Sequence, residues 1–140
     1  MKRYPFYFII LVALPFILGM SSFNGVSSPS KIPMTQKKYI VTFTDQMDVS
    51  TECRDASIDG LTLIEGQIGN GIHAINFDKI RHIVFHLRNE NLFADITFID
   101  GNFIELKVKK SAKAFGVTKY GTFEIRLIDL KKIIVEGSVK

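Results

Sequence analysis

Alternation of apolar and polar residues governs the chain from about residue 37 onward. Tyr39, Val41 and Phe43 alternate with Ile40, Thr42 and Thr44, and this β-branched, aromatic run at period two predicts a strand. Further runs predict strands over 61–65, 71–77, 82–88, 92–100 and 103–109. In the last of these, Ile104, Leu106 and Val108 point one way, while Glu105, Lys107 and Lys109 point the other. Runs over 115–119, 122–127 and 132–136 complete the set. No window longer than ten residues keeps an i, i+3, i+4 stripe, so the expected class is all-β. The architecture expected is a small barrel or sandwich of about 7–9 short antiparallel strands. Gly66, Gly69 and Gly71 read as a flexible connector, and Asp100-Gly101-Asn102 as a hairpin turn, since Gly and Asn accept positive φ.

The pattern also repeats. A shift of 50 lays Gly71 on Gly121, Ile75 on Ile125, Phe77 on Leu127, Ile80 on Leu130, Arg81 on Lys131 and Ile83 on Ile133. Upstream, residues 41–45 resemble 96–100 at a shift of 55. That would place about five extra residues in the first copy, between Gln46 and Asn70. The chain therefore reads as two related halves, about 39–88 and 92–137. In each half the apolar spacing stretches from two to three, between Ile80 and Ile83 and between Leu130 and Ile133. A helical turn or a bulge would keep both residues of each pair inward. A copy of about 45 residues is too small to hold a core alone, so the halves should share one. Burying Phe43, Phe77, Phe85, Phe98, Phe123 and Ile133 there contributes about 1.5–3 kcal/mol each.

The first 36 residues have a different texture. Lys2 and Arg3 precede an uncharged apolar run to Met20, and Gly19 and Ser21 sit at the −3 and −1 positions of a leader-peptidase site. Residues 1–21 are expected to be a signal peptide cleaved after Ser21. Residues 22–36, rich in Ser and Pro, read as a flexible linker, and 37–140 as a single domain. The apolar run is short for a membrane span, which needs about 20 residues, and Pro15 interrupts it. An uncleaved leader tethering the domain to the membrane is the alternative. Either way the folded part is exported, to the periplasm or the extracellular space, with no transmembrane segment after leader removal. The lone Cys53 makes no internal disulfide and no multi-cysteine zinc site.

Charge adds one candidate surface. The net charge is +4, but residues 31–106 carry 7 basic and 11 acidic side chains, and residues 107–140 carry 9 and 3. Lys107, Lys109, Lys110, Lys113 and Lys119 form the basic stretch. In an exported protein this stretch suits an anionic polysaccharide or lipid head groups, not nucleic acid. Lysines guarding a sheet edge are the plainer account.

Catalytic and cofactor patterns are missing. His82 and His86 share a parity, but four residues of strand put them about 13 Å apart, beyond what metal–nitrogen bonds of about 2.0 Å can bridge. His73 lies on another strand. No Gly-x-Ser-x-Gly elbow occurs, and the acid pairs Glu52/Asp55 and Asp45/Asp48 read as solvated turn acids. Gly66 to Gly71 precede a strand and not a helix, so they lack the context of a phosphate loop. No catalytic, cofactor or metal residue is assigned.

The segment Ile96-Thr97-Phe98-Ile99-Asp100-Gly101, with Phe115-Gly116, Tyr120-Gly121-Thr122-Phe123-Glu124-Ile125 and Asp129-Leu130-Lys131-Lys132-Ile133, resembles a duplicated pattern of uncharacterised exported bacterial small β-domain proteins. In the first copy Gln46 stands where the glycine of Asp-Gly would be. The resemblance implies a binding or accessory module and carries over no catalytic residue. The function expected is thus a non-catalytic module of the cell envelope, meeting an envelope protein or anionic polymer. Contact would run through an exposed sheet edge or the basic strand 103–109. The alternatives are a binder of anionic polysaccharide or lipid surfaces through 107–119, and an exported hydrolase-type enzyme. The enzyme would draw its site from 46–70, with Cys53, Glu52 and Asp55 near a histidine.

Overall fold

The computed structural model describes residues 37–139. The expected signal peptide, its cleavage site at Ser21 and the 22–36 linker lie outside the described residues. Ten strands follow in chain order: β1 (Lys38–Asp45), β2 (Ser50–Ile58), β3 (Leu63–Ile68), β4 (Gly71–Asn76), β5 (Ile80–Arg88), β6 (Asn91–Phe98), β7 (Phe103–Val108), β8 (Lys113–Thr118), β9 (Gly121–Arg126) and β10 (Leu130–Val139). One-turn 3-10 helices, Phe77–Lys79 and Leu127–Asp129, lead into β5 and β10. All pairings are antiparallel, and the strands form one sheet in the order β4-β3-β7-β6-β5-β10-β1-β2-β8-β9, curled into a half-barrel.

The alternation read from the sequence sets the inner face. Tyr39, Val41 and Phe43 of β1, Leu92, Ala94 and Ile96 of β6, and Leu106 and Val108 of β7 are buried together in one core. Ile80, Ile83, Leu130 and Ile133 are all buried as well. Bulges that skip Arg81 and Lys131 in the ladders absorb their three-residue spacing, just after the 3-10 turns. Phe43 stacks on Phe123 at 5.7 Å, and Tyr39 meets Phe77 edge-on at 5.5 Å.

Two readings of single segments need correction. Ser50–Ile58, which no predicted run covers and whose Glu52 and Asp55 read as turn acids, is the tenth strand, β2. Gly66, read as part of a connector, is buried in the middle of β3, where an added Cβ would lie 2.7 Å from Leu106 Cβ. Gly116 occupies the matching place in β8, and its Cβ would lie 2.4 Å from Cys53 Cβ. Both glycines let two backbones approach where no side chain fits.

The pairing registers recur along the chain at fixed displacements. A displacement of 50 carries the β3–β4 pairs Leu63↔Asn76 and Ile68↔Gly71 onto the β8–β9 pairs Lys113↔Arg126 and Thr118↔Gly121. For the first hairpin the displacement is 53 and not 55, since Val41↔Cys53 corresponds to Ala94↔Leu106. The two displacements differ by three residues, so the first copy holds three extra residues and not about five. They fall between Arg54 and Leu63. The same displacement puts Asp48, at φ 64°, in the place of Gly101, at φ 95°. The first-copy turn thus closes without an Asp-Gly pair, and Gln46 is not its glycine equivalent.

The copies are interlaced. In the strand order β1 and β2 lie between β10 and β8, while β6 and β7 lie between β5 and β3. Each copy therefore lends its first hairpin to the other. β5 and β10 meet at the centre, where Ile83 faces its own counterpart Ile133.

Candidate functional site

The interlacing leaves one ladder unfinished. β2 pairs Arg54 with Val117 of β8, takes up a bulge at Asp55, and continues with Ser57↔Phe115 and Ile58↔Ala114. Asp59 fixes the end of this extension: its N–H donates to Lys113 O at 2.8 Å, and its Oδ1 accepts from Lys113 N at 3.0 Å. On the opposite side, β7 and β3 share the single registered pair Lys107↔Gln67, and β7 ends at Val108. The first half of β3 is left with β4 alone.

A cavity of about 310 Å³ opens there, bounded by Leu63–Gln67, Lys107–Lys109 and, from the segment that is longer in the first copy, Ile58, Asp59 and Leu61. Ile72, Ala112 and Leu127 add to the apolar lining, and its charged residues are Asp59, Glu65, Lys107 and Lys109. The size is at the lower end for a ligand pocket, and an apolar lining with few polar groups is the usual composition. Two further cavities behave differently. One uses Tyr39, Asp78, Ile99 and Val135, and the other uses their counterparts Leu92, Ile128, Gln46 and Phe85. A cleft that recurs in both copies follows from the fold. The slot beside β3 follows from the difference between the copies.

Of the five lysines singled out by charge, Lys107 and Lys109 reach this slot. Lys110 is exposed in the turn after β7. Lys113 opens β8, its ammonium 3.7 Å from Glu124. Lys119 lies in the β8–β9 turn, its Nζ 5.1 Å from the Tyr120 ring centroid. The basic stretch is continuous in sequence and divided in space.

The residues of the hydrolase alternative do not converge. Cys53 is fully buried, and burial followed by the Glu52 charge pushes its thiol up to about 11. Glu52 is exposed on the other face of β2, and Asp55 is the bulge residue with φ 51°. A thiol held protonated inside the core is a poor nucleophile.

One cluster escaped the sequence reading. His86 of β5, Asp95 of β6 and Glu105 of β7 bring ligand-type atoms within 4.8 Å of one another. Asp95 lies opposite Glu105, while His86 is diagonal to both strands' acids, 3.5 Å from Asp95 and 3.6 Å from Glu105. Comparing histidines with each other, as sequence spacing invites, misses a group built across three strands. Arg88 donates to Glu105 at 2.9 and 3.4 Å and covers the Phe93 ring at 4.1 Å. The Arg88 hydrogen bond holds the Glu105 carboxyl below its ordinary range, whereas burial, reinforced by Glu105, raises that of Asp95. The Arg88 guanidinium already engages both oxygens that the Glu105 carboxylate would offer a metal.

Among the described residues no helix is long and apolar enough to cross a membrane. No curated protein and no solved structure matches the chain. A family model described as an uncharacterised protein matches residues 35–138, and the chain belongs to that family.

Proposed function

We propose that this chain is an exported, non-catalytic binding module of the cell envelope, and that its ligand brings an apolar group and a negative charge to the slot beside β3. The observation that carries the reading is the asymmetry of the slot. Ile58, Asp59 and Leu61, from the segment that is three residues longer in the first copy, line a half-enclosed apolar cavity, and Lys107 and Lys109 join Glu65 among its charged lining residues. Burying an apolar group there contributes about 25 cal/mol per Å², and the lysines select the charge that accompanies it. A broad polyanion surface over 107–119 is supported less well, because Lys113 and Lys119 sit with Glu124 and Tyr120 instead of beside Lys107.

Calorimetric titration of the full chain with decanoate, and in parallel with decyltrimethylammonium, tests the reading. Decanoate should bind and the cation should not, with binding lost in the double variant K107E/K109E. Equal binding of both amphiphiles, or binding unaffected by the double variant, would refute it. Export is tested separately: N-terminal sequencing of protein recovered outside the cytoplasm should begin at Ser22.

A further inference from the structure

A surface cavity lined from the face of a sheet takes alternate residues of a strand, because successive side chains point to opposite faces. The slot is instead lined by five consecutive residues, Leu63 to Gln67. It therefore runs along the edge of β3, where the backbone itself is presented. The sister ladder displays what belongs at such an edge. Ser57 and Ile58 pair there with Phe115 and Ala114, the counterparts of Glu65 and Ile64 at the displacement of 50. Facing Glu65 and Ile64, no strand of the described chain continues the ladder past Gln67↔Lys107.

We propose that the slot accepts an extended peptide segment by strand addition, completing the β3 ladder as Ser57–Ile58 completes that of β8. This rests on the reading of the slot as the binding site and names its ligand class. The partner is a protein segment carrying an aliphatic residue flanked by acids. Its backbone pairs with Leu63–Glu65, the aliphatic side chain enters the apolar lining, and the acids meet Lys107 and Lys109. The chain contains a segment of this character, Asp55-Ala56-Ser57-Ile58-Asp59-Gly60, in which Ile58 is buried against the core.

The probe is that hexapeptide, acetylated and amidated, titrated into the full chain by calorimetry. A set of analogues carries a single N-methyl group at each successive backbone nitrogen. Strand pairing directs alternate N–H groups toward β3, so methylation should weaken binding about tenfold at alternate positions and little between them. The K107E/K109E variant should weaken every peptide. Alternating sensitivity would support the proposal, while binding that ignores the methyl position would overturn it. If decanoate binds and the peptide does not, strand addition fails and the slot remains a binding site. If neither binds, both readings fail.

Discussion

At the scale of single residues, the outer face carries charge in cross-strand groups whose energetics can be assigned a sign. The Asp95 carboxyl is raised, first by burial and then by its neighbour Glu105, against the pull of His86 and Arg88. The folded state therefore binds the Asp95 proton more tightly than the unfolded chain. This side chain's contribution falls as pH rises through its folded-state value, leaving a net cost at neutral pH. Asp95→Asn should raise stability at pH 7, by less than about 1 kcal/mol because the side chain is half exposed and screened. The gain should vanish below the ordinary carboxylate pKa of about 3.9. Urea unfolding at pH 7 and pH 3 checks both statements. An Asn variant less stable than the parent at pH 7 would show that the His86 contact outweighs desolvation. Glu105 has the opposite sign. Its lowered value, caused chiefly by Arg88, contributes stability above the unfolded pKa, and that contribution is lost as pH falls.

At the scale of elements, what could be read from the chain was whatever depends on local period. The inward rows of β1, β6 and β7 and the outward Lys107 stand in plain alternation. The repeat around Gly71 and Gly121 marks two matching strand–turn–strand units, β4 to β5 and β9 to β10. β2 was hidden because the bulge at Asp55 separates its inward residues Cys53 and Ala56 by three, and its outward positions are charged. The slot was hidden for another reason. It exists because β7 stops early beside a strand from the other copy, and strand order does not show in the sequence. The Gly66 and Gly116 contacts belong to the same long-range geometry and yield a comparative prediction. An alanine at either site forces apart backbones whose neighbouring Cβ atoms would stand at 2.7 and 2.4 Å, at a cost of about 1–3 kcal/mol. Gly116→Ala should cost more than Gly66→Ala, because β2–β8 is paired on both sides of the contact and β3–β7 is free to open. Chemical denaturation of the two variants decides the order.

At the scale of the whole molecule, interlacing makes the two copies mutually dependent. A fragment spanning 37–88 retains the β1–β2 and β3–β4 hairpins, but β5 loses both of its neighbours, β6 and β10. Isolated hairpins are marginal in water. Neither 37–88 nor 89–139 should form a folded monomer, and mixing them should restore the strand signal in circular dichroism. A monomeric fragment that unfolds cooperatively would contradict the exchange of hairpins. Ladders such as β1–β10 join residues almost a hundred positions apart. Folding should accordingly be slow, in the millisecond to second range typical of non-local β topologies.

The meeting of Ile83 with Ile133 carries a historical consequence. A contact in which a position faces its own twin is isologous, the kind made when two identical chains associate about a two-fold axis. A half-length ancestor would have had no missing surface: two such polypeptides could have clasped each other through traded hairpins. Gene fusion would then have made the partnership permanent. In such a history each half would have been free to drift, and the three-residue difference between them would have ended the equality of the two sides.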